Sequence, residues 1–176
     1  MFPTKMKTTQ LVLLRALLLL TLLIAVPCIA QSQTASPCTG SQLSVKDEHS
    51  DNAMGGQRGE YYSFKNNSQS ACTLKGSPGL VLLDSAGRRI PGQKITHDGP
   101  GTDVTLQPGG KAFFTIDYRS CSFARGAGVR ERCITAAKLR IESPGTKRSF
   151  ILRGGIDAEK LTVNVSSVMS KDDTAP

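Results

Sequence analysis

From residue 43 onward the chain changes between apolar and polar residues with a period of two. Leu43 and Val45 fall on one side of an extended backbone with Ser44 and Lys46 on the other, and Tyr62 and Phe64 alternate with Ser63 and Lys65. Ala137, Leu139 and Ile141 alternate with Lys138, Arg140 and Glu142, and Leu161, Val163 and Val165 with Thr162, Asn164 and Ser166. That period marks half-buried β-strands. Residues 80–83 are apolar throughout, as in a strand buried on both faces, and Val104, Leu106, Phe114 and Ile116 add further strand positions. Turn pairs punctuate these runs at Asn66-Asn67, Pro78-Gly79, Ala86-Gly87, Pro91-Gly92, Pro100-Gly101 and Pro108-Gly109, while residues 51–59, with three glycines, read as a connecting loop. Many short strands with almost no helical period predict an all-β, immunoglobulin-like antiparallel sandwich of about eight strands.

The first thirty residues follow another rule. Lys5 and Lys7 precede a nearly unbroken apolar block over residues 11–26, and Pro27, Cys28 and Ala30 follow it. A basic start, a short apolar core and small residues before a cleavage point are the parts of a secretory signal peptide. The block is shorter than the roughly 20 apolar residues that span a bilayer. The expected organisation is a signal over 1–30, a polar linker over 31–37, a sandwich over 38–168 and a disordered tail over 169–176, with no transmembrane span in the mature chain. A lipoprotein anchored through Cys28 is the weaker alternative, because Pro27 stands where such signals carry a small residue.

Charge matters only after this removal. Losing Lys5, Lys7 and Arg15 takes three positive charges from the formal +8 and leaves +5. With few aromatic residues to stack on bases, a surplus of this size argues against nucleic acid as a partner.

Four cysteines remain past the signal: Cys38, Cys72, Cys121 and Cys133. Their even number and the export signal together point to disulfides. Three pairings are open on paper, and order along the chain favours Cys38–Cys72 and Cys121–Cys133. Their gaps are too long for a zinc site, to which only His49 and His97 could be added, so no metal or other cofactor is expected.

These stretches resemble a bacterial family of secreted proteins and lipoproteins known as domain of unknown function 4232. The likeness is carried by Cys38-Thr39-Gly40-Ser41-Gln42-Leu43, by Phe64 and Asn66 leading to Ala71-Cys72-Thr73-Leu74 with Pro78-Gly79 and Leu82-Leu83-Asp84, by Val104-Thr105-Leu106 with Pro108-Gly109-Gly110, and by Cys133 with Leu139-Arg140-Ile141 and Pro144-Gly145. The resemblance implies a secreted β-sandwich and no assigned activity. Many relatives carry a last cysteine just before the closing strand, where this chain has Gly154-Gly155-Ile156-Asp157, so Cys121 stands in as the partner of Cys133.

Candidate chemistry is sparse. No Gly-x-Ser-x-Gly elbow or His-Glu-x-x-His helix is present, and His49 and His97 both sit in polar surroundings. Asp47, Glu48 and Asp51 lack the spacing of a calcium loop, and Met54 and Met169 are too few for a copper carrier. Arg119, Arg125, Arg130 and Arg132 lie in or beside the loop closed by Cys121 and Cys133, where forked guanidinium groups could hold carboxylates, phosphates or sulfates. The resulting expectation is a non-enzymatic envelope or extracellular binding module, contacting a protein or anionic glycan through that loop. The rivals are an exported hydrolase with a site around His97 and Asp98, and a purely structural domain.

Overall fold

The computed structural model describes residues 35–126, 133–146 and 148–170, apart from the side chains of residues 50–52, 123–125 and 161. Nine strands follow in order: β1 (Leu43–Met54), β2 (Gln57–Asn66), β3 (Cys72–Leu74), β4 (Gly79–Leu83), β5 (Lys94–His97), β6 (Val104–Leu106), β7 (Lys111–Ser120), β8 (Cys133–Glu142) and β9 (Ser149–Val165). A six-residue α-helix, α1 (Cys121–Gly126), follows β7, and a 3-10 turn over Gly40–Gln42 precedes β1. The all-β sandwich expected from the sequence holds, with nine strands among the described residues rather than about eight.

The longest strand closes the fold. The first half of β9 pairs antiparallel with β8, from Ser149 opposite Glu142 to Glu159 opposite Cys133. Its second half pairs with β7, Val163 opposite Tyr118 and Val165 opposite Ile116, and on its other edge with β5. Lys160 sits at the switch with φ 59°, a left-handed conformation that a side-chain-bearing residue adopts only when its surroundings impose it. One layer is thus β1-β2-β7-β9-β5, the other β9-β8-β4, with β3-β6 as a separate pair.

Alternation explains the core. Along β7, Ala112, Phe114, Ile116 and Tyr118 are buried while Phe113, Thr115 and Asp117 are only half so. Phe64 of β2 stacks on Phe114 at 5.2 Å and meets Phe150 of β9 edge-on at 6.2 Å, so one ring joins both layers. Leu82, Leu139, Ile141, Val163 and Val165 are among the other side chains buried in this interior.

Both expected disulfides are formed, Cys38–Cys72 with 4.8 Å between Cα atoms and Cys121–Cys133 with 5.6 Å. The polar residues 51–59 are not a loop: β1 runs to Met54 and β2 starts at Gln57, leaving only Gly55-Gly56, both at positive φ, as a tight turn. A bulge between Asp47 and Asp51, with His49 at φ 52°, breaks the alternation that would have marked this strand. The end of the expected linker is also structured, since Pro37 bridges Thr73 and Thr73 N–H donates to the Ser36 carbonyl. At the other end, pairing runs past 168: Met169 exchanges two backbone hydrogen bonds with Phe113. Finally, β5 pairs with β9 in parallel, so the sandwich is not wholly antiparallel.

Candidate functional site

The arginines singled out above meet different fates. Arg119, at the end of β7, places Nε 3.0 Å from Oε2 of Glu159, a carboxylate only 5% exposed. Its charge serves that buried acid. Residues 130 and 132 lie outside the described residues, as does the side chain of Arg125 in α1. The hollow beside Arg119 and Lys160, about 330 Å³, is also walled by Asp117 and Glu159, so its charge is matched. Of these four arginines only Arg119 has a described side chain, and it is held by Glu159.

His97 ends β5, exposed, opposite Val165. The neighbouring Asp98 carboxylate accepts a hydrogen bond from Asn164 Nδ2 at 3.0 Å, and the Asp98 carbonyl accepts from Ser77. Neither side chain touches a hydroxyl nucleophile among the described residues, the contact such hydrolysis uses. His49 is exposed, with Nδ1 3.6 Å from Asp47. Among the described residues no three His, Cys, Asp or Glu side chains converge as metal ligands, and no helix is long and apolar enough to cross a membrane.

The main polar cluster facing the interior is structural in form. Glu60 of β2 accepts the hydroxyl protons of Tyr62, at 2.7 Å, and of Tyr118 from β7. Burial first, and then the negative charge of Glu60, push the Tyr62 hydroxyl well above the usual tyrosine range. Tyr118 is raised likewise, by burial and by its bond to Glu60.

A denser feature lies on the exposed face of the smaller layer. Residues opposite one another in a sheet project from the same side. Lys138 of β8 stands directly opposite Arg153 of β9, and on its other side opposite Leu83 of β4. Leu83 is in turn bridged to Arg89, whose segment covers the free edge of β4. One line across the layer therefore reads Arg89, Leu83, Lys138, Arg153. The next reads Val81, Arg140, Ile151. Leu83 shares this face but is covered, 4% exposed, whereas Ile151 is 55% exposed.

Little opposes these four cations. Arg140 Nε approaches Glu142 at 3.7 Å without a hydrogen bond, and Glu142 also accepts from Ser149. Arg88 is paired with Asp84 at 2.9 Å and adds no net charge. Arg89, Lys138 and Arg153 form no ion pair among the described residues. Like charges directly opposite on neighbouring strands destabilise a sheet. Three guanidinium forks and an ammonium over partly apolar ground can hold anionic oxygens by charge-assisted hydrogen bonds.

Sequence reading missed this face for a definable reason. Lys138 and Arg140 alternate outward along their strand, but Arg89 sits between the turn pairs Ala86-Gly87 and Pro91-Gly92, and Arg153 precedes the alternation that begins at Leu161. Only strand register joins them, Lys138 to Arg153 across β8 and β9 and Arg89 through Leu83 of β4.

No curated protein matches this chain. Among solved structures, a selenomethionine-labelled β-glucosidase from Kluyveromyces marxianus is similar at 13% sequence identity with a TM-score of 0.27, over 66% of this chain and 15% of that one. The chain thus spans a small part of that enzyme, and a TM-score of this size carries no argument about fold or activity. Residues 38–169 match the family described as Domain of unknown function (DUF4232), and the chain belongs to that family.

Proposed function

We propose that this chain is an exported, non-enzymatic binding module that engages an anionic envelope or extracellular partner through the exposed face of β4, β8 and β9. The observation that carries the proposal is Lys138 directly opposite Arg153, in line with Arg89 and beside Arg140. A sheet has no structural reason to set like charges opposite each other, and an anionic partner offsets the repulsion. Export is supported by the amino-terminal basic and apolar pattern and by two disulfides in one small domain. The proposal places the contact on the sheet face, where strand register joins the cations, whereas of the arginines at the Cys121–Cys133 loop only Arg119 has a described side chain and it is engaged by Glu159.

Salt elution from a phosphocellulose matrix tests this. The double variant Lys138→Gln, Arg153→Gln should elute at clearly lower salt than wild type, while the triple variant Arg125→Gln, Arg130→Gln, Arg132→Gln should elute close to it. The triple variant loses more charge, so net charge alone would produce the reverse order. That reverse order would return the contact to the disulfide loop and refute the sheet-face proposal.

A further inference from the structure

We infer that the occupant of this face is a linear polyanion lying across the strands, with its charges repeated along the chain, rather than a small anion or a flat membrane. This rests on the anion-binding reading above and adds the form of the ligand. The argument begins with spacing. Neighbouring strands lie about 4.8 Å apart, so Lys138 and Arg153 are one strand spacing apart, Arg89 and Lys138 two, and the line from Arg89 to Arg153 covers roughly 15 Å. Arg140 lies two residues along β8 from Lys138, or roughly 7 Å.

These positions spread the cations along a line instead of converging them on a point. The oxygens of one phosphate lie within a few ångströms of each other. To grip it together, the four side chains would have to crowd their own charges, against the repulsion between like charges on facing strands. A chain carrying a charge at each step relieves that repulsion without crowding. The apolar positions support the same reading, because Leu83 lies between Arg89 and Lys138, while Val81 and Ile151 flank Arg140. They give the long basic stems a surface to lie on, so that the heads stay apart in one row. Arginine supplies three of the four cations, and its planar fork matches the oxygens of phosphate, sulfate and carboxylate.

Counterion release makes the proposal quantitative. A protein that neutralises several charges of a linear polyanion loses affinity linearly in log salt, with a slope of about −0.7 to −0.9 per charge. Four cations therefore give a slope of about −3, and each cation removed should lower it by just under one. Among the described residues, Glu142 is the acid paired with Arg140. Glu142→Gln should tighten binding by about twofold, a gain that a poorly folded variant would not produce.

The test measures binding of fluorescently labelled long-chain inorganic polyphosphate between about 50 and 300 mM salt. Tripolyphosphate, and vesicles of phosphatidylglycerol and phosphatidylcholine in equal parts, serve as competitors. The inference expects a slope near −3, a smaller slope for Lys138→Gln and for Arg153→Gln, tighter binding for Glu142→Gln, and poor competition by tripolyphosphate and vesicles at equal total charge. If tripolyphosphate competes equally and the same substitutions weaken both anions, the polymer inference fails while the anion-binding face stands. Preference for vesicles also overturns the polymer. If the substitutions leave the binding of every anion unchanged, both readings fail.

Discussion

Replacing Arg153 with glutamate should make the protein more stable while removing part of its affinity for anions. In the wild type, Lys138 and Arg153 face each other directly across β8 and β9, with Arg89 in the same line and Arg140 in the next. Opposite charges at such positions favour a sheet by roughly 0.2–1 kcal/mol and like charges oppose it by a similar amount, so Arg153→Glu should gain about 1 kcal/mol at low salt. Both side chains are partly solvated, which keeps the gain near that figure. For a domain of this size it corresponds to roughly 4 °C in melting temperature. Arg153→Gln should fall about midway, since it removes the repulsion without adding attraction. Thermal melts followed by circular dichroism at about 20 mM salt and again at about 1 M separate electrostatics from packing, because the Debye length shrinks to about 3 Å at the higher value. The gain should mostly vanish there. A variant that melts at or below the wild-type temperature at low salt, or whose gain is independent of salt, would refute the claim that these cations repel one another.

Three further outcomes test the fold beneath this face. Breaking Cys38–Cys72, which spans 34 residues, should cost roughly 4 kcal/mol in urea unfolding, and breaking Cys121–Cys133, which spans 12, roughly 3 kcal/mol, so equal losses would contradict the loop-entropy reasoning. A Cβ on Gly110 would lie 2.9 Å from the Gln107 carbonyl oxygen, whereas one on Gly59 would lie 2.6 Å from the movable carboxylate of Asp117. Gly110→Ala should therefore destabilise by about 1–3 kcal/mol and Gly59→Ala by clearly less, as measured by chemical denaturation. Tyr62 and Tyr118 hold their protons in the folded state at pH values where the unfolded chain loses them. Their contribution is full below about pH 10 and falls as pH rises above it, and the double Tyr62→Phe, Tyr118→Phe variant should flatten that alkaline loss in melts taken from about pH 8 to 11.

Strands with clean alternation were legible in the sequence, and strands without it were not. Phe114 and Ile116, and Leu139 and Ile141, state their buried faces by period alone. The far end of β1 does not, because Asp47, Glu48 and His49 are polar, a bulge interrupts the register, and Gly55-Gly56 resembles the middle of a loop. The closing strand alternates clearly only from residue 161 onward, yet it starts at Ser149, since Gly154-Gly155 looks like a break and the switch between layers at Lys160 has no mark in one dimension. The cost of that missed half was the candidate site itself. An arginine cluster near in sequence, around Cys121 and Cys133, was visible, whereas Arg89, Lys138, Arg140 and Arg153 are neighbours only through strand register. The cysteine pairing was readable from order along the chain, which left the local pairs the simplest choice.

The most direct measurement of where an anion meets this protein is amide NMR during titration with long-chain polyphosphate. Saturating shifts should concentrate at Arg89, Lys138, Arg140, Ile151 and Arg153 and leave the Cys121–Cys133 segment still. Shifts centred on residues 119–133, or no saturating shifts anywhere, would contradict the account.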